Sequence, residues 1–209
     1  MSKVKIIVGI VLIISLVGGF GLEGNCQPEV QLTRLQGKVL YKTSSWLIFS
    51  TPWQQVTDTV VLNKGDIIKT NPDSKAELVF ANQAQILIKS ASKVKLIENK
   101  TGKIELKKIK LNLGEVVVKF IEQLDKKSSF QVETPSAVAG IKGTTFRVRV
   151  NKQQATQVTV REGTVEVSSQ GGKVTVGSGQ VAQVTSKQKK PKVKSAPQQK
   201  NWQQEKQWL

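Results

Sequence analysis

Hydrophobic and polar residues alternate along most of the chain between residues 37 and 186. A period of two places successive side chains on opposite faces and is typical of a β-strand with one buried and one wet face. The alternating apolar positions are Ala76, Leu78 and Phe80; Val94 and Leu96; Ile104 and Leu106; Ile109, Leu111 and Leu113; Val116, Val118 and Phe120; Phe146, Val148 and Val150; Val158 and Val160; Val165 and Val167; and Val174 and Val176. No stretch of helical length has the i, i+3, i+4, i+7 spacing, so the pattern predicts an all-β domain over residues 37–186.

An internal repeat accompanies this alternation. The segment from Leu62 to Ile68 resembles the segment from Leu111 to Val117, and their glycines, Gly65 and Gly114, lie 49 residues apart. Gly163 lies another 49 residues on, and shorter versions of the pattern occur at Gly37 and Gly179. Stacked repeats bury a face that one unit cannot bury alone. The repeat therefore favours a solenoid-like stack of short two-strand units, with a two-sheet β-sandwich as the alternative architecture.

Residues 1–26 differ from the rest of the chain. Two lysines in the first five residues precede an uncharged, mostly apolar run from Ile6 to Leu22, which predicts an apolar helix. Such a segment is a secretory signal peptide or a membrane anchor, and both alternatives stay open. Either one implies an exported domain. Lipidation of Cys26 is the less favoured alternative, because Glu23 stands where a lipobox has an aliphatic residue.

The C-terminal residues 187–209 are rich in lysine and glutamine and poor in apolar residues. Such a composition buries too little surface to offset chain entropy, so this tail is predicted to be disordered. Trp202 and Trp208 are exceptions to that composition. They form either a short partner-binding or membrane-surface tip, or incidental aromatics in a floppy tail.

The chain carries 32 Lys and Arg against 15 Asp and Glu, a formal net charge of +17. The positive charges are spread along the sequence, which indicates a basic surface rather than one designed groove. Its consequences are solubility and affinity for polyanions such as glycans. Export makes specific nucleic-acid binding the less favoured function.

Residues suited to catalysis are scarce. The chain has no histidine and a single cysteine, so the commonest general base and the usual zinc ligands are missing. Asp58, Asp66, Glu115 and Glu162 fall at predicted strand starts or turns and are expected to be solvated. The sequence therefore predicts no catalytic residues, no metal site, no cofactor and no enzymatic activity.

One stretch has a recognisable order of residues. A Thr-Pro pair, a glycine, a Gly-Thr pair and a phenylalanine are followed by two further glycines, namely Thr134, Pro135, Gly140, Gly143, Thr144, Phe146, Gly163 and Gly179. Their order and spacing resemble the signature of FecR-type domains. The resemblance is specific from about Phe130 to Val184 and assigns these residues structural roles. Gly140 and Gly143 are expected in a turn that needs positive φ.

The resemblance implies a solenoid-like stack of short strands. FecR proteins are transmembrane regulators whose cytoplasmic segment controls a sigma factor and whose exported part senses a receptor. Only five residues precede the apolar run here, too few for such a segment. The expectation is a stand-alone domain, periplasmic or secreted and alternatively anchored in the inner membrane by residues 6–22, that binds an envelope or secreted protein. A basic polyanion-binding protein is the alternative function.

Four cationic residues are candidates for that binding. Lys142, Arg147, Arg149 and Arg161 fall on predicted outward faces around the signature. Together they would form a basic strip for a partner or an anion. The alternative is an ordinary solvated face of the domain.

Overall fold

The computed structural model describes residues 30–44, 51–80, 84–101, 104–120, 128–141, 144–196 and 202. The predicted N-terminal helix and Cys26 lie outside these residues. So do Lys142 and Gly143, which belong to the predicted basic strip and to the family signature.

The described residues form seventeen β-strands. The first nine are β1 Val30–Gln36, β2 Val39–Lys42, β3 Gln54–Gln55, β4 Thr59–Val61, β5 Ile67–Thr70, β6 Lys75–Phe80, β7 Ala84–Ile88, β8 Lys93–Thr101 and β9 Ile104–Phe120. The remaining eight are β10 Ser128–Glu133, β11 Val138–Ile141, β12 Thr145–Val150, β13 Thr156–Glu162, β14 Thr164–Ser169, β15 Gly172–Gly177, β16 Gln180–Val184 and β17 Lys192–Ser195. The all-β prediction is confirmed.

The strands pair into two sheets that share β9. Sheet A has the order β4-β1-β6-β7-β9-β12-β13-β16-β17. Sheet B has the order β3-β2-β5-β8-β9-β10-β11-β14-β15. Neighbouring strands are antiparallel except β9 and β10, which are parallel. The fold therefore combines the two predicted architectures: two sheets enclose one core, and the chain passes repeatedly from one sheet to the other.

The core lies between the sheets and is built from every second residue of most strands. Buried apolar side chains of both sheets form one continuous cluster. Phe130 of sheet B contacts Phe80 and Phe120 of sheet A edge to face, with ring centroids 5.6 Å apart in both pairs. Such aromatic pairs add to the free energy gained by burial alone. The aromatic cluster thus joins the two sheets beside the parallel strand pair.

Strand β9 shows how the chain changes sheets. Its first part, up to Leu113, pairs in sheet B, and its last part, from Gly114, pairs in sheet A. Leu111 is fully buried, Leu113 is 37% exposed and Val116 is fully buried again. The core-facing positions change from odd numbers, Ile109 and Leu111, to even numbers, Val116 and Val118, where the strand leaves one sheet for the other.

The five glycines of the repeat lie where the chain crosses between the sheets. Gly37, Gly65, Gly114, Gly163 and Gly179 have φ values of 67°, 93°, 98°, 83° and 73°. A residue with a Cβ seldom adopts positive φ, whereas glycine does so without steric cost. The 49-residue spacing in the sequence therefore corresponds to recurrent sheet crossings, with further crossings between them.

A serine fills the space beside three of these glycines: Ser74 at Gly37, Ser44 at Gly65 and Ser92 at Gly114. At Gly114, the Oγ of Ser92 accepts a hydrogen bond of 2.9 Å from the backbone N–H of Glu115. An added Cβ on Gly114 would lie 2.5 Å from the Ser92 Cα. Gly37 faces Ser74 in the same way, with an added Cβ 2.9 Å from the serine Cα. Two constraints therefore require glycine at these corners: the positive φ of the backbone and the close packing of the serine.

The Thr-Pro part of the signature forms a turn whose polar groups are buried. The Thr134 N–H and hydroxyl both donate hydrogen bonds to the Ala137 carbonyl oxygen, and the donor–acceptor distance is 2.8 Å in each. The Thr156 Oγ1 in sheet A lies 2.7 Å from the Thr134 Oγ1 and 2.6 Å from the Ser136 Oγ. Pro135 starts the bend between the two hydroxyl residues. This hydrogen-bonded group links the β10–β11 turn to the opposite sheet, because buried hydroxyls need partners.

The prediction of a turn at Gly140 is wrong. Gly140 lies within β11, paired with β10 and β14, and its φ is not positive. The nearest atom to an added Cβ would be the Glu166 carbonyl oxygen, at 3.9 Å, which is an ordinary contact. The chain turns instead over residues 134–137. Of the other signature residues, Phe146 is a core residue and Thr144 is buried.

The predicted disordered tail needs a correction for Lys192–Ser195. These residues form β17, which pairs with β16 at the edge of sheet A. Val193 packs against the core. Unpaired backbone groups on the edge of β16 supply the hydrogen bonds that the tail composition did not indicate. Strands β1 and β17 extend the double sheet beyond the predicted limits of 37–186.

Replacing Gly114 with alanine should destabilise the domain by about 2 kcal/mol or more, because the new Cβ meets Ser92 at a positive φ. Gly140→Ala is the matched control and should change the free energy of unfolding by less than about 1 kcal/mol. Urea denaturation followed by circular dichroism measures both. Equal losses in the two variants would contradict the role given to the crossing.

Candidate binding face

One row of side chains crosses the outer face of sheet A, away from the core. Strand register places Leu87, Val117, Arg147, Thr159 and Val181 side by side across β7, β9, β12, β13 and β16. Each is at most 8% exposed. The middle of this outer face, named here the covered row, is therefore shielded from solvent although it lies outside the core.

Trp202 lies over the covered row. The Arg147 guanidinium carbon is 4.4 Å from the centre of the Trp202 ring, and that of Arg161 is 5.9 Å away. Both distances fall within the range of cation–π attraction, for which tryptophan is the best aromatic partner. The sequence left two alternatives for the tail tryptophans, a partner-binding or membrane-surface tip and incidental aromatics. The structure gives Trp202 a specific contact with the β domain of its own chain.

Glu115 connects three cations beside this row. Its carboxylate lies 3.2 Å from the Lys89 Nζ, 3.3 Å from the Arg147 Nε and 2.6 Å from the Arg149 Nε. Glu115 is buried on the outer face of β9, directly after the Gly114 crossing. The prediction that Glu115 is solvated in a turn is therefore wrong. The strands on either side of β9 bring cations that stabilise the buried carboxylate.

The pKa of Glu115 follows from two opposing effects. Burial raises it, since a carboxylate loses hydration. The positive charges of Lys89, Arg147 and Arg149, with a hydrogen bond from Lys89, outweigh burial and hold the pKa below its usual range. The carboxylate is therefore ionised at neutral pH. Three cations then face one negative charge, which leaves the cluster with excess positive charge.

The predicted basic strip is partly assembled. Arg147, Arg149 and Arg161 share the outer face of sheet A, and Lys142 lies outside the described residues. Arg147 is buried under Trp202, so it is not the exposed residue that was expected. The side chain of Arg149 is 61% exposed and that of Arg161 is 36% exposed. Lys89 was missed, because only the pairing of β7 with β9 brings it to Glu115.

Two shallow pockets flank Arg149. The first, of about 250 Å³, is lined by Lys89, Ser90, Gly114, Glu115, Arg149, Val150 and Asn151. The second, of about 230 Å³, is lined by Arg149, Asn151, Ala155, Thr156, Gln157, Gln183, Val184 and Thr185. Arg149 and Asn151 border both, so an exposed guanidinium stands between two concave surfaces.

Other carboxylates have structural roles or are exposed. Asp66 is buried, and its carboxylate accepts backbone hydrogen bonds of 2.8 Å from Ser44 and from Asn63. Its predicted solvation is wrong, since the carboxylate closes the β4–β5 corner. Asp58 and Glu162 are exposed, as expected. In the part of the chain that the structure describes, no three His, Cys, Asp or Glu residues gather as a metal site would need.

The family comparison matches the middle part of the chain, from β5 into β14. The family described as FecR protein matches residues 66–166. The chain carries a FecR domain. That range includes the Glu115 cluster and the three arginines, whereas Trp202 and strands β15 to β17 follow it. No curated protein matches the sequence significantly.

Solved structures share the fold of this FecR domain. Two crystal structures of a candidate anti-sigma factor from Parabacteroides distasonis, at 2.50 and 1.65 Å resolution, match with a TM-score of 0.54 and 18% identity. Each match covers 64% of this chain and 61% of the other, so the chain spans about three fifths of that protein's length. Among the described residues, no helix is long and apolar enough to cross a membrane.

Replacing Glu115 with glutamine should lower the free energy of unfolding by about 3 kcal/mol at neutral pH, because a buried arginine loses its counter-charge. Since the folded pKa lies below the ordinary value of 4.5, the carboxylate stabilises the fold fully above that value. This contribution is lost as pH falls through the folded pKa. The difference between wild type and Glu115→Gln should therefore shrink in acid.

Urea denaturation over a pH series measures this difference. Glu166→Gln is the control, because Glu166 forms an exposed pair with Lys173 at 3.3 Å and contributes little. A difference between wild type and Glu115→Gln that stays constant down to acidic pH would contradict the assignment.

Proposed function

We propose that this FecR domain is a non-enzymatic binding or scaffolding module of the cell envelope that takes part in envelope signalling. Its binding face is the outer face of sheet A around Arg149. The observation that carries the proposal is the position of Arg149, anchored at 2.6 Å by a buried carboxylate yet 61% exposed between two pockets.

The chemistry of this face suits an acidic partner. A guanidinium held by Glu115 loses less conformational freedom on binding than a free surface arginine does. Its planar group of donors fits a carboxylate. Lys89 and Arg147 add positive charge that the single carboxylate does not balance. The partner proposed here is a protein segment that carries Asp or Glu side chains.

Regulatory relatives support the non-enzymatic part of the proposal. The FecR family and the candidate anti-sigma factor belong to regulators rather than to known enzymes. FecR domains are typically extracytoplasmic parts of membrane-anchored regulators. An exported location, with residues 6–22 as signal or anchor, agrees with that arrangement.

The test compares a neutralised binding face with an equal loss of charge elsewhere. Arg149→Gln removes the exposed guanidinium, and Lys69→Gln removes an exposed charge from the outer face of sheet B. Full-length proteins are immobilised and exposed to envelope extract, and retained proteins are quantified by mass spectrometry. A partner should be retained by wild type and Lys69→Gln and fall at least about tenfold with Arg149→Gln, a loss of about 1.4 kcal/mol.

Two results would contradict the proposal. Equal losses in the two variants, with retention that falls steeply as salt rises, would indicate the alternative of a polyanion binder driven by overall charge. Retention of no protein at all would also contradict it. Circular dichroism of each variant confirms that the fold is intact before binding is compared.

A further inference from the structure

The covered row has the composition of a docking groove. Three of its five members, Leu87, Val117 and Val181, are apolar and at most 4% exposed, although they point away from the core. They are absent from the continuous core cluster. The outer face of an antiparallel sheet is ordinarily solvated and polar. An apolar, shielded row on that face therefore requires an occupant.

The occupant is indicated by Trp202. Its ring lies at 4.4 Å over Arg147, the central residue of the covered row, and is bordered by Arg161. Both guanidinium groups are provided by strands of the FecR domain, whereas the ring belongs to the segment after β17. One aromatic ring within reach of two guanidinium groups is a specific contact, because both cations are attracted to the same ring.

Chain length permits this contact within one molecule. Strand β17 ends at Ser195, and Trp202 is the seventh residue after it, with six residues between the two. Seven extended residues span up to about 23 Å. Arg147 lies on β12, three strand spacings from β17, or about 14 Å away. The segment can therefore reach the covered row without a second copy of the chain.

From these observations we infer that the covered row is a docking groove for a tryptophan-bearing segment, and that its resident occupant is the chain's own residues 197–209, anchored by Trp202. The groove recognises an indole ring through cation–π contacts from Arg147 and Arg161, next to a row of apolar side chains. Occupancy by the chain's own segment keeps Arg147 out of solvent. This inference is independent of the partner proposed for Arg149.

A peptide added in trans tests the groove. Full-length Trp202→Ala leaves the groove without its anchor, and Trp53→Ala, which removes an exposed tryptophan near the β3 edge, is the matched control. A fluorescent synthetic peptide of residues 196–209 should bind Trp202→Ala at least about tenfold more tightly than wild type or Trp53→Ala. The same peptide with alanine at position 202 should bind all three weakly. Equal affinity for the three proteins, or for the two peptides, would overturn the inference.

Arginine modification provides a second measurement. Phenylglyoxal labels accessible guanidinium groups, and mass spectrometry of tryptic peptides reports Arg147 separately. Labelling of Arg147 should rise several-fold in Trp202→Ala, rise less in Trp202→Phe and stay unchanged in Trp53→Ala. An unchanged rate in Trp202→Ala would show that the segment does not cover the row.

The source of the segment is tested by sedimentation of wild type over a range of concentrations. A monomer agrees with docking within one chain, whereas a dimer lost in Trp202→Ala would place a second copy's segment in the groove and overturn the assignment. Trp202→Phe, which keeps an aromatic ring, preserves the test if the alanine variant fails to fold. Envelope capture is judged from Arg149→Gln, whereas peptide binding, labelling and sedimentation are judged from Trp202→Ala, so the two proposals fail separately.

Discussion

The fold depends on the ability of the backbone to turn from one sheet into the other without a gap in the core. Positive φ at Gly37, Gly65, Gly114, Gly163 and Gly179 provides that turn. At Gly37, Gly114 and Gly163 the crossing also shifts the core-facing positions from odd to even numbers or the reverse. Both sheets can then direct their apolar positions inward and close over a single core. A chain without these glycines would have to strain its backbone or expose one set of apolar faces.

The same constraint determines the chemistry of the outer face. If β9 continued in one phase through residue 114, Glu115 would follow Ile109 and Leu111 into the core. The phase change at Gly114 places it on the outside instead, opposite Arg149 on β12. Ser92 accepts the Glu115 N–H at that corner, so the backbone of the buried carboxylate is fixed by the crossing itself. The backbone corner and the charged cluster are thus two parts of one local structure.

Much of the fold could be predicted from the sequence, because period-two alternation and the glycine spacing are local signals. The signals failed where distant strands meet. Glu115 and Asp66 look like turn residues in sequence, yet their partners come from other strands and corners. Gly140 resembles a turn glycine because its neighbours suggest a bend, while its actual environment is a paired strand. Lys192–Ser195 has a disordered composition, but an available strand edge supplies hydrogen bonds that composition does not contain.

In the candidate site, too, the sequence predicts the face of the sheet on which a residue lies but not how buried that residue is. Alternation assigns Arg147, Arg149 and Arg161 to the outer face correctly, but burial depends on what lies over that face. Trp202, distant in sequence, covers Arg147 and leaves Arg149 open to solvent. Two arginines on one strand, two residues apart, therefore differ in environment: one is held beneath an aromatic ring and the other faces two open pockets. Because Glu115 contacts both, the covered groove and the exposed binding face share one buried carboxylate. A change in the position of Arg147 would alter the charge that Arg149 experiences, so Glu115 is the physical link between the two surfaces.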